Sequence, residues 1–583
     1  MKLNRDTTTL PELIINLWHH FSRRRKRQFF LLLGLMLIGA FMEVISLGAI
    51  LPFIGILADP EYVFTHPIIK DFSNFLGINT PDQLVLPLTI TFAVAALMAG
   101  MTRTLLLWVS TRVAYAGGSD LSIKVYSRSL YQPYQVHVAR NSSEVLSGIT
   151  DKAGSVVGSV LLPLLTLISS VVMLIAIIVG LLIIHPLVAL ISTIGFGAGY
   201  GLIAWVTRKQ LHRNSQRISE EQTQVIKAIQ EGLGGIRDVL LDSTQSVYCD
   251  IYRKSDQTLR LARASNTFVA GSPRYAMEAL GIVLITILAY SLSQEVGGVV
   301  TALPVLGALA LGAQRLLPAL QNIYTSWSAI VGSQRSLVDI IELLDQHVPQ
   351  ELLGSPPPPL KFQNSINFNN VRFRYSKDSP WVLDGVNLTI PAGARFGFIG
   401  STGSGKSTLL DLLMGLLKPT EGELLVDGQL INGRTLRAWQ QTIAHVPQSI
   451  YLTDTTLAEN IAFGVLPEDI DLKRVYEAAK QAQIAAYIES QSMGYNTLVG
   501  ERGVRLSGGQ RQRIGIARAL YKQANILVFD EATSALDNAT ERSVMNAIEG
   551  LDHNLTILII AHRLTTIKNC DTIVELENGR VLE

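Results

Sequence analysis

Eight consecutive residues, Gly400-Ser401-Thr402-Gly403-Ser404-Gly405-Lys406-Ser407, have the composition and spacing of a loop that wraps phosphate. Its glycines let successive backbone N–H groups turn inward around phosphate oxygens, and a helix opening at the loop's end adds partial positive charge. In that setting Lys406 neutralises terminal phosphates and the Ser407 hydroxyl ligates Mg²⁺, with Thr408 next in the helix. A second cluster is acidic. Asp530 ends the apolar run Ile526-Leu527-Val528-Phe529 and is suited to holding Mg²⁺, directly or through water. Glu531, beside it, is suited to orienting and deprotonating an attacking water. Together these residues spell cleavage of a nucleoside triphosphate, with Mg²⁺ as the expected cofactor.

Such groups need rigid carriers. The loop follows the β-rich run Phe396-Gly397-Phe398-Ile399 and opens the helical run Thr408-Leu409-Leu410-Asp411-Leu412-Leu413, the strand–loop–helix context that phosphate loops require. From residue 361 to 583, β-rich runs (371–375, 395–399, 526–529) alternate with helical ones, as in an α/β domain. Ahead of it, residues 346–360 contain Pro349 and Pro356-Pro357-Pro358-Pro359, a stiff linker that cannot continue a helix.

The first half of the chain is of another kind. Of the 583 residues only 16% are charged and 48% are hydrophobic, and the charge deficit sits in the first 330. That composition excludes a wholly soluble protein and a disordered one. Lys plus Arg number 49 against 47 Asp plus Glu, a balance that argues against a nucleic-acid partner. The two cysteines, Cys249 and Cys570, match no metal spacing and exclude a disulfide framework.

Within residues 28–345, six apolar stretches are long enough to cross a bilayer: 28–58, 86–111, 156–184, 187–207, 269–292 and 298–322. Arg23-Arg24-Arg25-Lys26-Arg27 precedes the first, in a cytoplasmic N-terminal segment of residues 1–27. The stretch after it is too long for a signal-peptide core and reads as a retained span. His185-Pro186 turns the third span into the fourth, and Ser293-Gln294-Glu295 joins the fifth to the sixth. Basic residues crowd alternate loops. Arg112, Lys124, Arg128, Arg140 and Lys152 follow span two, and ten more run from Arg208 to Arg263. The loop 59–85 holds Lys70 against Asp59, Glu61, Asp71 and Asp82. The asymmetry puts both termini in the cytoplasm. Val225, Ile226, Ile229 and Leu233 keep helical spacing, so the spans continue as helices beyond the membrane. Gly232, Gly234 and Gly235 then mark a turn, from which a short helix could meet another domain. Ile68, Ile69, Phe72, Phe75 and Leu76 give an outer amphipathic stretch that either lies on the membrane surface or packs on the spans.

Leu506-Ser507-Gly508-Gly509-Gln510, followed by Arg511-Gln512-Arg513, matches the signature sequence of the ATP-binding cassette transporters. The resemblance covers the whole chain, since six spans followed by one cassette resemble an exporter-type half-transporter. The implied fold is a polytopic α-helical membrane domain with long cytoplasmic extensions, fused to an α/β P-loop ATPase. The implied assembly is a dimer, a homodimer in the simplest case, in which Ser507, Gly508, Gly509 and Gln510 contact nucleotide held by the other protomer. By the same resemblance Tyr375 stacks on adenine, and Gln448 senses the γ-phosphate and joins the metal site. Ser534-Ala535-Leu536-Asp537 crosses the dimer interface, and His562 contacts the γ-phosphate. Glu501-Arg502-Gly503 touches the inner-loop helices. After His562 the family would lead one to expect a longer helical tail than the 21 residues that reach Glu583. The cassette motifs are intact, so the resemblance implies ATP and Mg²⁺ as cofactors and ATP hydrolysis coupled to transport, in a multi-pass protein of a bacterial inner membrane.

For the cargo, ionisable residues within spans are the natural candidates. They are Glu43, Arg103, Arg274, Glu278 and Arg315. The three arginines fall in the cytoplasmic-side portions of their helices, where a ring of guanidinium groups could grip a phosphate or pyrophosphate head group. Arg274 has the bland alternative of pairing with Glu278 one turn away. Met42-Glu43-Val44-Ile45-Ser46-Leu47, the outer amphipathic stretch and Glu231-Gly232-Leu233-Gly234-Gly235-Ile236-Arg237-Asp238 loosely resemble the flippases of lipid-linked oligosaccharides. The expected cargo is thus an amphipathic, anionic glycolipid. The alternative is export of hydrophobic drugs. An ATP-gated channel or sensor would be favoured by a missing Glu531 or His562, and both residues are present.

Overall fold

The computed structural model describes residues 9–58, 64, 80–184, 186–293, 298–349, 352, 354–355, 357–530, 539, 541–543, 555–560, 567–568 and 570–582. His185, Gln294, Glu295, Glu531, His562, the outer stretch 68–76 and the segment 534–537 lie outside the described residues. The chain divides into two compact units, residues 1–130 with 140–347 and residues 131–139 with 348–583.

The first unit is helical. Thr9 and Glu12 form a capping box that starts α1 (Leu10–His20), whose Leu13 and Leu17, one turn apart, are buried. The basic run then opens α2 (Arg23–Ala58). There follow α3 (Val85–Leu130), then the short α4 (Tyr134–Ala139), which belongs to the second unit, and, back in the first, α5 (Leu162–Ile184) and α6 (Pro186–Gly234). The remaining helices are α7 (Ile236–Leu241), α8 (Gln245–Gly271), α9 (Pro273–Ser293), α10 (Gly298–Gly332) and α11 (Gln334–Leu344). Among the described residues, Arg23–Ser46, Val85–Leu130 and Ser142–Leu182 are long and apolar enough to cross a membrane. Of the other three apolar stretches, 187–207 falls within α6 and 298–322 within α10, whereas 269–292 takes the end of α8 and, after a break at Ser272, α9.

α3 has 46 residues and α6 has 49. At 1.5 Å per residue they run about 70 Å, more than twice the hydrocarbon thickness of about 30 Å. The third apolar stretch also starts earlier than the sequence suggests. Its helix continues back to Ser142 through two π turns, Gly148–Lys152 and Val157–Leu161.

α11 closes the unit. It buries Leu337, Val338, Ile340, Ile341, Leu343 and Leu344 against the aliphatic core built on α1, α2 and α3. A polar knot pins it there. Asp339 accepts a 2.6 Å bond from the Lys152 ammonium and another from the Ser219 hydroxyl, with Arg335 at 3.4 Å. Lys152 is only 8% exposed, so its charge is tolerated because it is paired.

The second unit holds two sheets. β1 (Ser365–Phe373), β2 (Leu383–Pro391), β4 (Glu421–Val426) and β5 (Gln429–Leu430) form an antiparallel sheet in the order β2-β1-β4-β5. The strand predicted at 371–375 therefore begins earlier, and Tyr375 lies just past its end. β3 (Arg395–Ile399), β6 (Ile443–Val446), β7 (Ile526–Asp530), β8 (Thr556–Ile560), β9 (Thr572–Glu577) and β10 (Arg580–Leu582) form the second sheet, ordered β10-β9-β3-β8-β7-β6. β9, β3, β8, β7 and β6 run parallel, and the central β8 and β7 read as near-continuous apolar runs, as strands covered on both faces must. Trp439 fills one side of this core and donates its indole N–H to the Leu413 carbonyl at 2.6 Å.

Candidate functional site

The register of the parallel sheet assembles the nucleotide residues. Phe398 on β3 and Asp530 on β7 both pair with Ile560 on β8, and Val446 on β6 pairs with Phe529. The C-terminal ends of four strands are thus level, and in open parallel sheets that edge is where ligands bind. The phosphate loop leaves β3 there, Gln448 follows β6 and Asp530 ends β7. In sequence, Glu531 comes directly after β7 and His562 two residues after β8.

The loop passes from β3 into α12 (Lys406–Leu413). Gly405 caps that helix at φ +103°, and a Cβ there would sit 3.0 Å from the Val382 carbonyl, so only glycine fits. Lys406 is buried, its ammonium donating to the carbonyls of Gly400 at 2.8 Å and Ser401 at 2.9 Å. The loop therefore already encloses a positive charge, the arrangement a polyphosphate needs. Tyr375, half exposed, stands edge-on to Phe373 and reaches Thr408, with 3.4 Å between the two hydroxyl oxygens. Ser401, Thr402, Gly403, Ser404 and Ser407 complete the loop and first turn. Asp411, further along α12, has its carboxyl pushed up to about 6, first by burial and then by the neighbouring Asp530 charge.

The signature segment is built on a helix terminus. Ser507 caps α13 (Gly508–Tyr521). Its hydroxyl accepts from the Gln510 N–H at 3.2 Å, and Gln510 returns a 2.8 Å bond through its side-chain carbonyl. Gly508 and Gly509 form the first turn. Ser507 itself is exposed, which leaves the turn open to an anion. Upstream, Glu501–Gly503 is a tight turn with Arg502 at φ +52°.

One contact escaped the sequence reading. α4 belongs to the second unit, where burial and the charges of Asp411 and Tyr375 raise the Tyr134 phenol above its ordinary range. The turn at Gly235 does form and is followed by a short helix, α7, which leaves Ile236, Leu240 and Leu241 exposed.

In the membrane unit, a cavity of about 380 Å³ is lined by residues of α2, α3, α5 and α10. Glu43, 1% exposed, pairs with Arg103, which is 45% exposed and faces the cavity. The polar lining missed by the sequence reading comprises Ser110, Thr166, Ser169, Ser170, Gln314 and Asn322. No local spacing flags them, because each is one hydroxyl or amide in an apolar helix. Arg274 does not join this cavity. It pairs with Glu278 at 2.8 Å, as its i,i+4 spacing allows. The predicted ring of three arginines is therefore not assembled among the described residues, and the side chain of Arg315 lies outside them.

Residues 30–300 match the family model of the ABC transporter transmembrane region, and residues 383–534 match that of the ABC transporter. The chain is 32% identical over 518 residues to the ATP-dependent lipid A-core flippase of Chromohalobacter salexigens, spanning 87% of each chain. It is 33% identical over 477 residues to the protein of that name in Saccharophagus degradans, 80% of this chain and 78% of the other. Among solved structures it resembles a bacterial Atm1-family ABC exporter with ATP bound. The TM-score is 0.78 at 26% identity, over 96% of this chain and 94% of that one.

Proposed function

We propose that this chain, which belongs to the ABC transporter family as an exporter-type half-transporter, flips an anionic glycolipid across a bacterial inner membrane as a homodimer. ATP hydrolysis in the cassette is coupled to transport through the membrane domain. Residues 400–407 cradle the triphosphate, with Lys406 against its terminal phosphates and Tyr375 beside the adenine. Ser407, Gln448 and Asp530 fit Mg²⁺, being a hydroxyl, an amide and a carboxylate carried from one sheet edge. The ion would supply charge neutralisation. Glu531 orients the attacking water and takes its proton, and His562 contacts the γ-phosphate. The partner subunit's Ser507 and the partner subunit's Gln510 close the site from the other side, so nucleotide binding draws two cassettes together.

Closure reaches the membrane through helices. α3 and α6 run without a break from the apolar spans into the inner loops. α4 packs in the nucleotide-binding unit, while α7 offers Ile236, Leu240 and Leu241 to the partner. Both termini lie on the cytoplasmic side by the loop charges. Hydrolysis releases the clasp and the bundle reopens, which requires that ATP and cargo bias one two-state equilibrium.

The observation that carries the cargo assignment is the Glu43–Arg103 pair. The carboxylate is buried behind the guanidinium, which anchors Arg103 and leaves its outer edge to a phosphate. The hydroxyls and amides around it suit sugar. Names of the relatives agree, since both are lipid A-core flippases. Arg103→Ala in proteoliposomes is expected to remove glycolipid-stimulated ATP turnover and leave basal turnover intact. Unchanged stimulation defeats the cargo assignment, as does full competition by hydrophobic drugs.

A further inference from the structure

A second cavity, of about 350 Å³, lies where α1 folds back on the start of α2 and the beginning of α5. Every residue lining it is apolar, among them Trp18, Phe29, Phe30, Leu33 and Leu164. Trp18 stands edge-on to Phe30 and tilted against Phe29, with ring centroids 6.0 and 5.4 Å apart. The groove opens outward, since Ile15, Phe30 and Leu33 on its rim are exposed.

Its neighbours on α2 carry charge. Arg23, Lys26 and Arg27 precede Phe30 by seven, four and three residues, so they continue the same helix face one or two turns toward the N-terminus. Arg25 is committed to Asp120 at 2.7 Å. Arg23 and Arg27 are exposed and form no ion pair among the described residues, and the Lys26 ammonium stands 5.8 Å from the Trp18 ring. A polybasic turn above an open hydrocarbon slot has complementary chemistry in one abundant molecule: a lipid with an anionic head and an acyl chain.

We propose that this groove holds one acyl chain of an anionic phospholipid of the cytoplasmic leaflet, with its phosphate on Arg23, Lys26 and Arg27. This lipid is resident, not cargo. Its chain lies against Met36 and Leu165, which also line the cavity of the Glu43–Arg103 pair, so it buttresses the wall of that cavity. The assignment rests on the orientation proposed above and not on the cargo, and it is tested by binding alone.

The protein is placed in nanodiscs of phosphatidylcholine containing either phosphatidylglycerol or further phosphatidylcholine with brominated acyl chains. Subtracting the signal of Trp18→Phe isolates quenching of Trp18. Brominated phosphatidylglycerol is expected to quench it at a roughly fivefold lower mole fraction than the neutral lipid, as one favourable surface charge contact gives. Arg23→Gln/Lys26→Gln/Arg27→Gln abolishes that preference and keeps ATP turnover in neutral detergent. Leu164→Trp leaves every charge in place but fills the slot. By native mass spectrometry it retains no phosphatidylglycerol under conditions where the unaltered chain keeps one per protomer. Equal quenching by the two lipids, a preference surviving the triple substitution, or lipid retained by Leu164→Trp each overturns the proposal.

Discussion

The cassette and the membrane unit assemble their polar residues by opposite routes. In the cassette, each functional segment is a short piece of chain at a strand end or helix start: six glycine-rich residues between β3 and α12, a serine capping α13. In the membrane unit, Glu43 and Arg103 meet from different helices, and Lys152 meets Asp339 across most of the unit. The first kind of site is written locally, because backbone N–H groups and glycine conformations do the binding. The second exists only once helices have packed.

That contrast predicts where substitutions bite hardest. Lys152→Met leaves the partly buried Asp339 with Arg335, 3.4 Å away, as its remaining counter-charge, and breaking a buried pair costs about 3 kcal/mol at the low end. Thermal unfolding of the purified chain is expected to show a large loss, mostly recovered by adding Asp339→Leu. If the double substitution is as unstable as the single, the knot is not held together by its charges. Arg274→Ala provides the opposite limit. Its i,i+4 pair lies on an open helix face and touches no other element's charge among the described residues, so stability and stimulated ATP turnover should both stay close to those of the unaltered chain. A loss matching that of Arg103→Ala would put Arg274 back in the cargo site and blur the distinction drawn here.

A further effect, confined to acid, is expected in the cassette. Burial on β6 pushes the His445 imidazole down from 6.5 to about 4. Between those values the unfolded chain binds a proton that the folded chain refuses, so stability falls as pH drops from 6.5 toward 4. His445→Leu should flatten this part of the stability profile relative to the unaltered chain. Parallel profiles would mean that the imidazole titrates normally in the fold.

Legibility of the sequence follows the same divide. The phosphate loop, the apolar strand ending in Asp530 and the signature turn could be read because each residue's role depends on neighbours a few positions away. The level strand ends that bring them together could not, since register is set by pairing between distant strands. Glu43 and Arg103 stood out as charges in apolar helices, yet nothing in the spacing said they would pair with each other while Arg274 took Glu278. The i,i+4 pair was the one local alternative, and it is the one that formed. α4 was passed over because its six residues carry no helical period long enough to recognise. The π turns ahead of α5 leave no mark in an apolar run, where a shift of one residue exchanges one aliphatic side chain for another.

The central claim is that nucleotide clasped by the cassettes drives a lipid from one leaflet to the other. The purified chain, reconstituted into liposomes with a fluorescent lipid A-core analogue in both leaflets, tests it through accessibility of the label to a membrane-impermeant quencher. With Mg²⁺ and ATP outside, the account predicts that label moves from the cassette-side leaflet to the opposite one, and that Glu531→Gln vesicles show no movement. ATP consumed at full rate with the label distribution unchanged, or the same redistribution in Glu531→Gln vesicles, would contradict it.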